Sequence, residues 1–166
     1  MTTNTYHSTQ TISTSTQEIL LHTSTPTPCY VTDQRLIQKN LDILKTLQNH
    51  DICVLLALKA FASFSSFPLI SASLDGASAS SVYEAQLAAD YFSSIHLYSP
   101  AFSDHDLTEA LPFCSKVVFN SLNQYHCFKD LLIDFSSIDV GLRINPDFCE
   151  VSKPIYNPCA PFSRFG

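Results

Sequence analysis

A chain of 166 residues is long enough for one domain with a real core and too short for two. Hydrophobic residues make up 45% and charged residues 14%, so most of the chain should fold. The formal net charge is −6 and the nine Lys and Arg form no basic cluster, which argues against nucleic acid as a partner; no apolar run approaches the about 20 residues of a membrane-crossing helix.

Residues 1–27 are dominated by Thr and Ser. Such a stretch cannot bury enough surface to offset its ordering entropy, so it reads as a disordered N-terminal segment. It has neither the basic start and apolar run of a signal peptide nor the arginines of a mitochondrial presequence. A cytoplasmic location is expected. Cys29, Cys53, Cys114, Cys127, Cys149 and Cys159 match neither CxxC nor a zinc framework, and are expected to be reduced and mostly buried.

From Pro28 the rhythm changes. Asp33 can cap a helix whose Leu36, Ile37, Leu41, Leu44 and Leu47 recur at three- and four-residue steps, and Asn49-His50-Asp51 stops it. Ile52 to Leu58 is a short continuous apolar run, the pattern of a strand buried on both faces, and Lys59 terminates it. The unit then recurs: a helix near 67–73, a strand near 76–79, a helix over 81–91, a strand at 95–98 and a helix over 104–111. A strand at 117–119, a helix over 122–132 and a strand at 138–144 complete the series. Strand starts near 52, 76, 95, 116 and 138 are roughly 20 residues apart, the repeat of βα units.

Short buried strands alternating with helices predict an α/β fold with a parallel sheet and right-handed crossovers. No GxGxxG or GxxxxGK[ST] follows any strand and the chain holds three glycines, which disfavours a dinucleotide or P-loop fold. A (β/α)₈ barrel needs about 250 residues and eight units. Two architectures therefore remain, a small open α/β domain and an incomplete barrel.

In a barrel the functional side chains stand at the C-terminal ends of the strands. Lys59 occupies that place, followed by Ala60-Phe61-Ala62. It can be the first solvated residue after a buried strand. It can also be a Schiff-base lysine, which needs a partly desolvated setting of the kind Leu56, Leu58, Phe61 and Phe64 would provide. His96 and Tyr98 read as satisfied positions on a buried strand, and Ser121 as a helix N-cap. Arg143, ending the last strand, must find an acceptor or reach water.

Seven stretches in order carry a family resemblance. They are Thr27-Pro28-Cys29-Tyr30-Val31 as an opening strand, Leu56-Ala57-Leu58-Lys59-Ala60-Phe61 as a cofactor-lysine motif, and Leu74-Asp75-Gly76-Ala77-Ser78-Ala79-Ser80-Ser81-Val82-Tyr83-Glu84-Ala85. His96-Leu97-Tyr98-Ser99-Pro100-Ala101, Phe119-Asn120-Ser121-Leu122 and Gly141-Leu142-Arg143-Ile144-Asn145-Pro146 follow, and Asn157-Pro158-Cys159-Ala160-Pro161 with Ser163-Arg164-Phe165-Gly166 ends the series. Across residues 27 to 166 the chain resembles the N-terminal part of the carboxynorspermidine (carboxyspermidine) decarboxylases. These are alanine racemase-like, fold-type III enzymes that depend on pyridoxal 5′-phosphate.

The resemblance implies that residues 28–166 form about five βα units of an incomplete (β/α)₈ cofactor-binding barrel. In the complete enzyme it implies a homodimer and a polyamine carboxylate substrate, decarboxylated in norspermidine and spermidine biosynthesis. Lys59 is the implied catalytic and cofactor-binding lysine, with Arg143 and Ser78, or Asp75, beside the cofactor. Phe162 stands where relatives commonly have Gly, and Ser63-Phe64 where racemase relatives have a Tyr. The family's last barrel strands, its cofactor-stacking His, its phosphate-binding glycine loop, the acidic partner of the ring nitrogen and a C-terminal β domain find no counterpart here. The expectation is accordingly that this chain alone is not an active decarboxylase. The alternatives are an inactive remnant or complementation fragment, or a decarboxylase for another amino acid such as diaminopimelate.

Overall fold

The structure, a computed structural model, describes Pro26, residues 28–161 and residues 163–165. The reading of residues 1–27 as disordered therefore falls, apart from Pro26, outside the described residues. Helix α1 spans Gln34–Gln48, and the Asp33 carboxylate accepts from the Arg35 N–H as its N-cap. Asn49 closes the helix, and Asp51 turns the chain with φ at 58°. Strands follow at Leu55–Ala57 (β1), Gly76–Ala79 (β2), Ile95–Tyr98 (β3), Lys116–Phe119 (β4) and Asp139–Leu142 (β5). The helices between them are α2 (Phe67–Ser71), α3 (Val82–Ala89), α4 (Asp104–Ala110) and α5 (Leu122–Phe128). Short 3₁₀ turns at Phe64–Ser66, Leu111–Phe113 and Leu131–Phe135 extend the helical stretches. Residues 28–33 carry no strand, in contrast to the expected opening strand; Tyr30 is fully exposed and no described segment pairs with that stretch.

All five strands are parallel, and their order in the sheet is their order in the sequence. A doubly wound sheet reverses direction at a switch point and carries helices on both faces. This one winds a single way with its helices on one side, as successive units of a barrel do. That resolves the two architectures left open above in favour of a partial (β/α) barrel.

Registered partners across parallel strands point to the same side of the sheet, and side chains alternate along each strand. Ala77 and Ala79, Ile95 and Leu97, and Val117 and Phe119 thus share the helix-side face, and all six are buried. They pack with Leu58, Phe67, Ile70, Ala85, Ala88, Phe92, Leu107, Ala110, Leu111 and Phe128. The core holds two aromatic groups. Phe67 meets Tyr91 and Phe92 edge-on, and Phe119 meets Phe102 and Tyr125 edge-on while stacking on Phe128. Each fully buried Phe or Leu contributes about 2–3 kcal/mol by leaving water.

The opposite face is half-open, so no strand is buried on both faces as the apolar run before Lys59 suggested. The residues of β1 are all half-buried, and on β5 even Val140 and Leu142 remain 46% and 43% exposed, because no described helix covers them. The thiols also differ from expectation. Cys29, Cys53 and Cys127 are exposed and the other three half-buried, since they fall in turns, at strand and helix ends or on the outer side of a helix. Burial pushes the Cys114 thiol up to about 12, which removes its nucleophilicity at neutral pH.

The strand-to-helix turns repeat one device. Ser81, Ser103 and Ser121 each cap the following helix by accepting from an N–H three residues on, that of Glu84, Asp106 and Gln124. Glu84 reaches back to the N–H of Ser80, and Gln124 to that of Asn120. A cap of this kind contributes about 1 kcal/mol. At the other end of the sheet Asp75 ties α1 to β1, accepting from the Val54 N–H at 2.7 Å and from Gln48 Nε2 at 3.0 Å.

Two outcomes test these constraints. A Cβ on Gly76 would run into the Ser94 carbonyl, which accepts from the Ala77 N–H, whereas one on Gly141 would meet only a Val118 methyl at 3.2 Å. Gly76→Ala should lower unfolding stability in urea by about 3 kcal/mol and Gly141→Ala by less than about 1 kcal/mol. Equal effects would show that the Ser94 carbonyl is not the constraint. The Val54 N–H bond, aided by Gln48, holds the Asp75 carboxyl below its ordinary value of 3.8. A depressed folded pKa gives stability that is present above the unfolded value and lost as pH falls through the folded one. The stability gap between wild type and Asp75→Ala should therefore be level near neutral pH and narrow once pH drops below 3.8.

Candidate functional site

The open face of the sheet carries the other half of the alternation. One row runs in register across all five strands: Ala57, Ser78, His96, Lys116 and Asp139. The next row toward the C-terminal edge holds Tyr98, Val118 and Gly141, and beyond it stand Asn120 and Arg143. This face is therefore mixed and substantially polar. The residues that face a barrel lumen near its mouth need polar heads to meet a ligand, and here they have them.

Lys59 stands two residues past the end of β1, in the turn at the C-terminal edge, and is exposed. Its amine makes no hydrogen bond or ion pair among the described residues. The hydrophobic jacket expected around it is not formed by the residues named for it. Leu58 is buried in the helix-side core and Leu56 and Phe61 pack against that core, while Phe64 is 61% exposed. Alternation along β1 directs Leu56 and Leu58 to the face away from the open side, so they cannot dry a lysine on that side.

Ser78 lies on β2 in the row of Ala57, half-buried, with its carbonyl accepting from the Leu58 N–H. Asp75 lies at the opposite, N-terminal end of the sheet, where its carboxylate braces Val54 and Gln48. It is a structural brace there and not a neighbour of Lys59, because β2 runs from Asp75 toward the functional edge and not from it. His96 sits between Ser78 and Lys116 in the row. Burial pushes its pKa down, Lys116 adds to that, and Asp139 opposes it. Its half-buried imidazole makes no hydrogen bond among the described residues. Lys116 Nζ and Asp139 Oδ2 form an ion pair at 3.7 Å, too exposed to add much stability.

The C-terminal ends of β3, β4 and β5 converge on one group. Tyr98 Oη donates to Asn120 Oδ1 at 2.8 Å, and Asn120 Nδ2 donates to the Arg164 carbonyl at 3.0 Å. Asn145 Nδ2 reaches the Phe165 carbonyl at 3.4 Å. The segment 163–165 is thereby held across the strand ends, and the Phe165 ring lies 4.6 Å from the Arg143 guanidinium carbon. That carbon also lies 5.6 Å from the Tyr98 ring. Arg143 Nε is buried and has no hydrogen-bond partner among the described residues. A buried guanidinium N–H without an acceptor is costly to leave so, and an anionic oxygen is the group that would satisfy it. Ser121 is the N-cap the sequence suggested. Asn120, only 8% exposed, was visible in the sequence merely as the residue after β4; the Asn-Ser-x-x-Gln capping pattern is the signal that marks it as fixed.

The arrangement offers a free primary amine and a guanidinium with an unsatisfied buried donor on one edge of the sheet. Among the described residues no cluster of three or more His, Cys, Asp or Glu side chains could hold a metal ion, and no helix is long and apolar enough to cross a membrane.

No protein-family model matches the chain. Individual relatives do. The chain is 44% identical over 145 residues to a carboxyaminopropylagmatine decarboxylase of Synechocystis sp., covering 86% of this chain and 37% of that protein. It is 37% identical over 142 residues to a carboxynorspermidine/carboxyspermidine decarboxylase of Herminiimonas arsenicoxydans, and 36% identical over 142 residues to one of Campylobacter jejuni. Those matches cover 84% of this chain and 38% and 36% of the two relatives. The crystal structure of the Campylobacter jejuni carboxynorspermidine decarboxylase complexed with norspermidine superposes with a TM-score of 0.73 at 30% identity, over 86% of this chain and 36% of that one. The chain thus spans little more than a third of the length of the curated relatives it matches. Singly wound parallel strands, the order of the matching segments and these relatives together make the chain similar to a little over a third of a carboxynorspermidine/carboxyspermidine decarboxylase.

Proposed function

We propose that this chain is the cofactor-lysine region of a pyridoxal 5′-phosphate-dependent decarboxylase that removes CO₂ from a carboxylated polyamine, carboxynorspermidine or carboxyspermidine, in polyamine biosynthesis. The observation that carries the reading is the free amine of Lys59 on the same sheet edge as the unpartnered Nε of Arg143. An aldehyde-bearing, anionic cofactor fits that pair. Lys59, once unprotonated, is the nucleophile that would hold it covalently, and Arg143 would donate to an anionic oxygen. The hydroxyl of Ser78, on the same face, can donate or accept toward the group. When bound, pyridoxal phosphate supplies the electron sink for the bonding pair released as CO₂ leaves. Gly76 and Gly141 both lie within strands, so neither provides a phosphate-cradling loop. A cytoplasmic setting and a homodimer belong to the same proposal; six unpaired cysteines support the former.

A second substrate reading rests on the relatives. The Synechocystis protein, at 44% identity, is a carboxyaminopropylagmatine decarboxylase, whereas the two carboxynorspermidine/carboxyspermidine enzymes stand at 37% and 36%. That favours a guanidine-terminated carboxylated polyamine as the competing substrate. Chemistry at the carboxylated carbon is the same for both, and the choice lies at the far end of the molecule.

Adding pyridoxal phosphate to the protein should produce a visible absorbance band that Lys59→Ala abolishes. Borohydride reduction should fix the cofactor on the peptide carrying Lys59, read by mass spectrometry. Reduction onto other lysines only, in folded protein, would sink the assignment. Arg143→Ala should weaken cofactor binding by about tenfold or more, the worth of one charge-assisted hydrogen bond, with circular dichroism unchanged. With the complete enzyme, CO₂ release measured with carboxynorspermidine, carboxyspermidine, carboxyaminopropylagmatine and diaminopimelate should favour the carboxylated polyamines; a preference for diaminopimelate would overturn the substrate class.

A further inference from the structure

We propose that Asn120 is a positioning residue that sets the placement of the Arg143 guanidinium through two aromatic arms. The inference rests on the reading of Arg143 as a cofactor-facing residue and names what holds it there. Asn120 is itself immobilised, 8% exposed, with its backbone N–H donating to Gln124 Oε1 at 2.6 Å. Its side-chain amide then acts in two directions. Oδ1 accepts from the Tyr98 hydroxyl on β3, and Nδ2 donates to the Arg164 carbonyl, which fixes the residue next to Phe165. The rings at the two ends of this bridge are the two that flank Arg143, at 5.6 and 4.6 Å from its guanidinium carbon.

The chemistry of the bridge explains the state of Arg143. Aromatic faces attract a guanidinium without accepting its N–H bonds in the way a carboxylate would. A guanidinium placed by rings therefore keeps its donors for something else, and here its Nε is buried without an acceptor. Had a carboxylate placed it, the charge would be neutralised and the fork already used. Asn suits the bridge because it is neutral and offers one acceptor and one donor group. An Asp at the same position keeps the Tyr98 arm but turns an acceptor toward the Arg164 carbonyl and adds a charge within reach of Arg143.

The test needs no catalytic activity. Nitrogen-15 NMR should show a slowly exchanging Arg143 Nε–H, shifted by the neighbouring rings and assigned by its loss in Arg143→Lys. Asn120→Ala should move this signal toward the solvent-exposed position and speed its exchange, and Tyr98→Phe, which keeps the ring and removes only the hydroxyl, should give part of that shift. In titrations with pyridoxal phosphate, Asn120→Ala should weaken binding about tenfold and Tyr98→Phe about threefold, the scale of two and one net hydrogen bonds. In an Arg143→Ala background Asn120→Ala should cause no further loss. An unmoved Nε–H signal in Asn120→Ala, or losses that simply add, would overturn the inference. If Asn120→Ala does not fold, Tyr98→Phe and Asn120→Asp decide it by the same signal. Unchanged cofactor affinity in Arg143→Ala itself would count instead against Arg143 as a cofactor residue, and the NMR signal would still judge Asn120.

Discussion

The constraint on which everything else depends is the alternation of side chains along parallel strands that pair in register. With the sheet winding one way, every helix lies on the same side, and each strand must divide its residues between a packed face and a lumen face. Ala77, Ile95, Leu97, Val117 and Phe119 go to the packed face and close the core; Ser78, His96, Tyr98, Lys116 and Arg143 go to the other. A shift of one residue in any strand would exchange the two sets, burying a charged group and exposing a core one. Core and site are thus two readings of one register.

The two ends of the sheet have separate duties. At the N-terminal end, Asp75 and the close approach of Ser94 to Gly76 lock strand starts to α1 and to each other. At the C-terminal end, serine caps turn each strand into the next helix, and the residues beside those caps are polar and held in place. That separation lets stability reside at one end while the other presents the Lys59 amine and the Arg143 Nε, neither of which is hydrogen-bonded among the described residues.

The lumen face also explains why Lys59 and Arg143 look so different in their surroundings. Lys59 follows a short edge strand of three residues and meets open space. Arg143 ends a strand whose neighbours, Tyr98, Asn120 and the segment ending in Phe165, all converge on it. A residue at a sheet edge is dried by what packs across the barrel, whereas one beside a paired strand can be placed by local contacts alone. The relatives, of which the chain spans little more than a third, have the additional length from which such packing could come.

By itself the sequence determined the βα rhythm, five strand positions, the helix caps and the place of Lys59 and Arg143 at strand ends. These depend on local periodicity and on capping chemistry, which short stretches encode. It also carried the family resemblance, because the matching segments are contiguous and ordered. Tertiary structure alone decided between a small open α/β domain and an incomplete barrel, since strand order is a property of pairing and not of any segment. It decided that Leu56 and Leu58 serve the core and do not surround Lys59, that Asp75 braces the far end of the sheet, and that the cysteines are not buried. It also brought Tyr98, Asn120 and Phe165 around Arg143. Those residues are separated by 22 to 44 positions along the chain in their bonded pairs, and only the crossing of strands places them within reach.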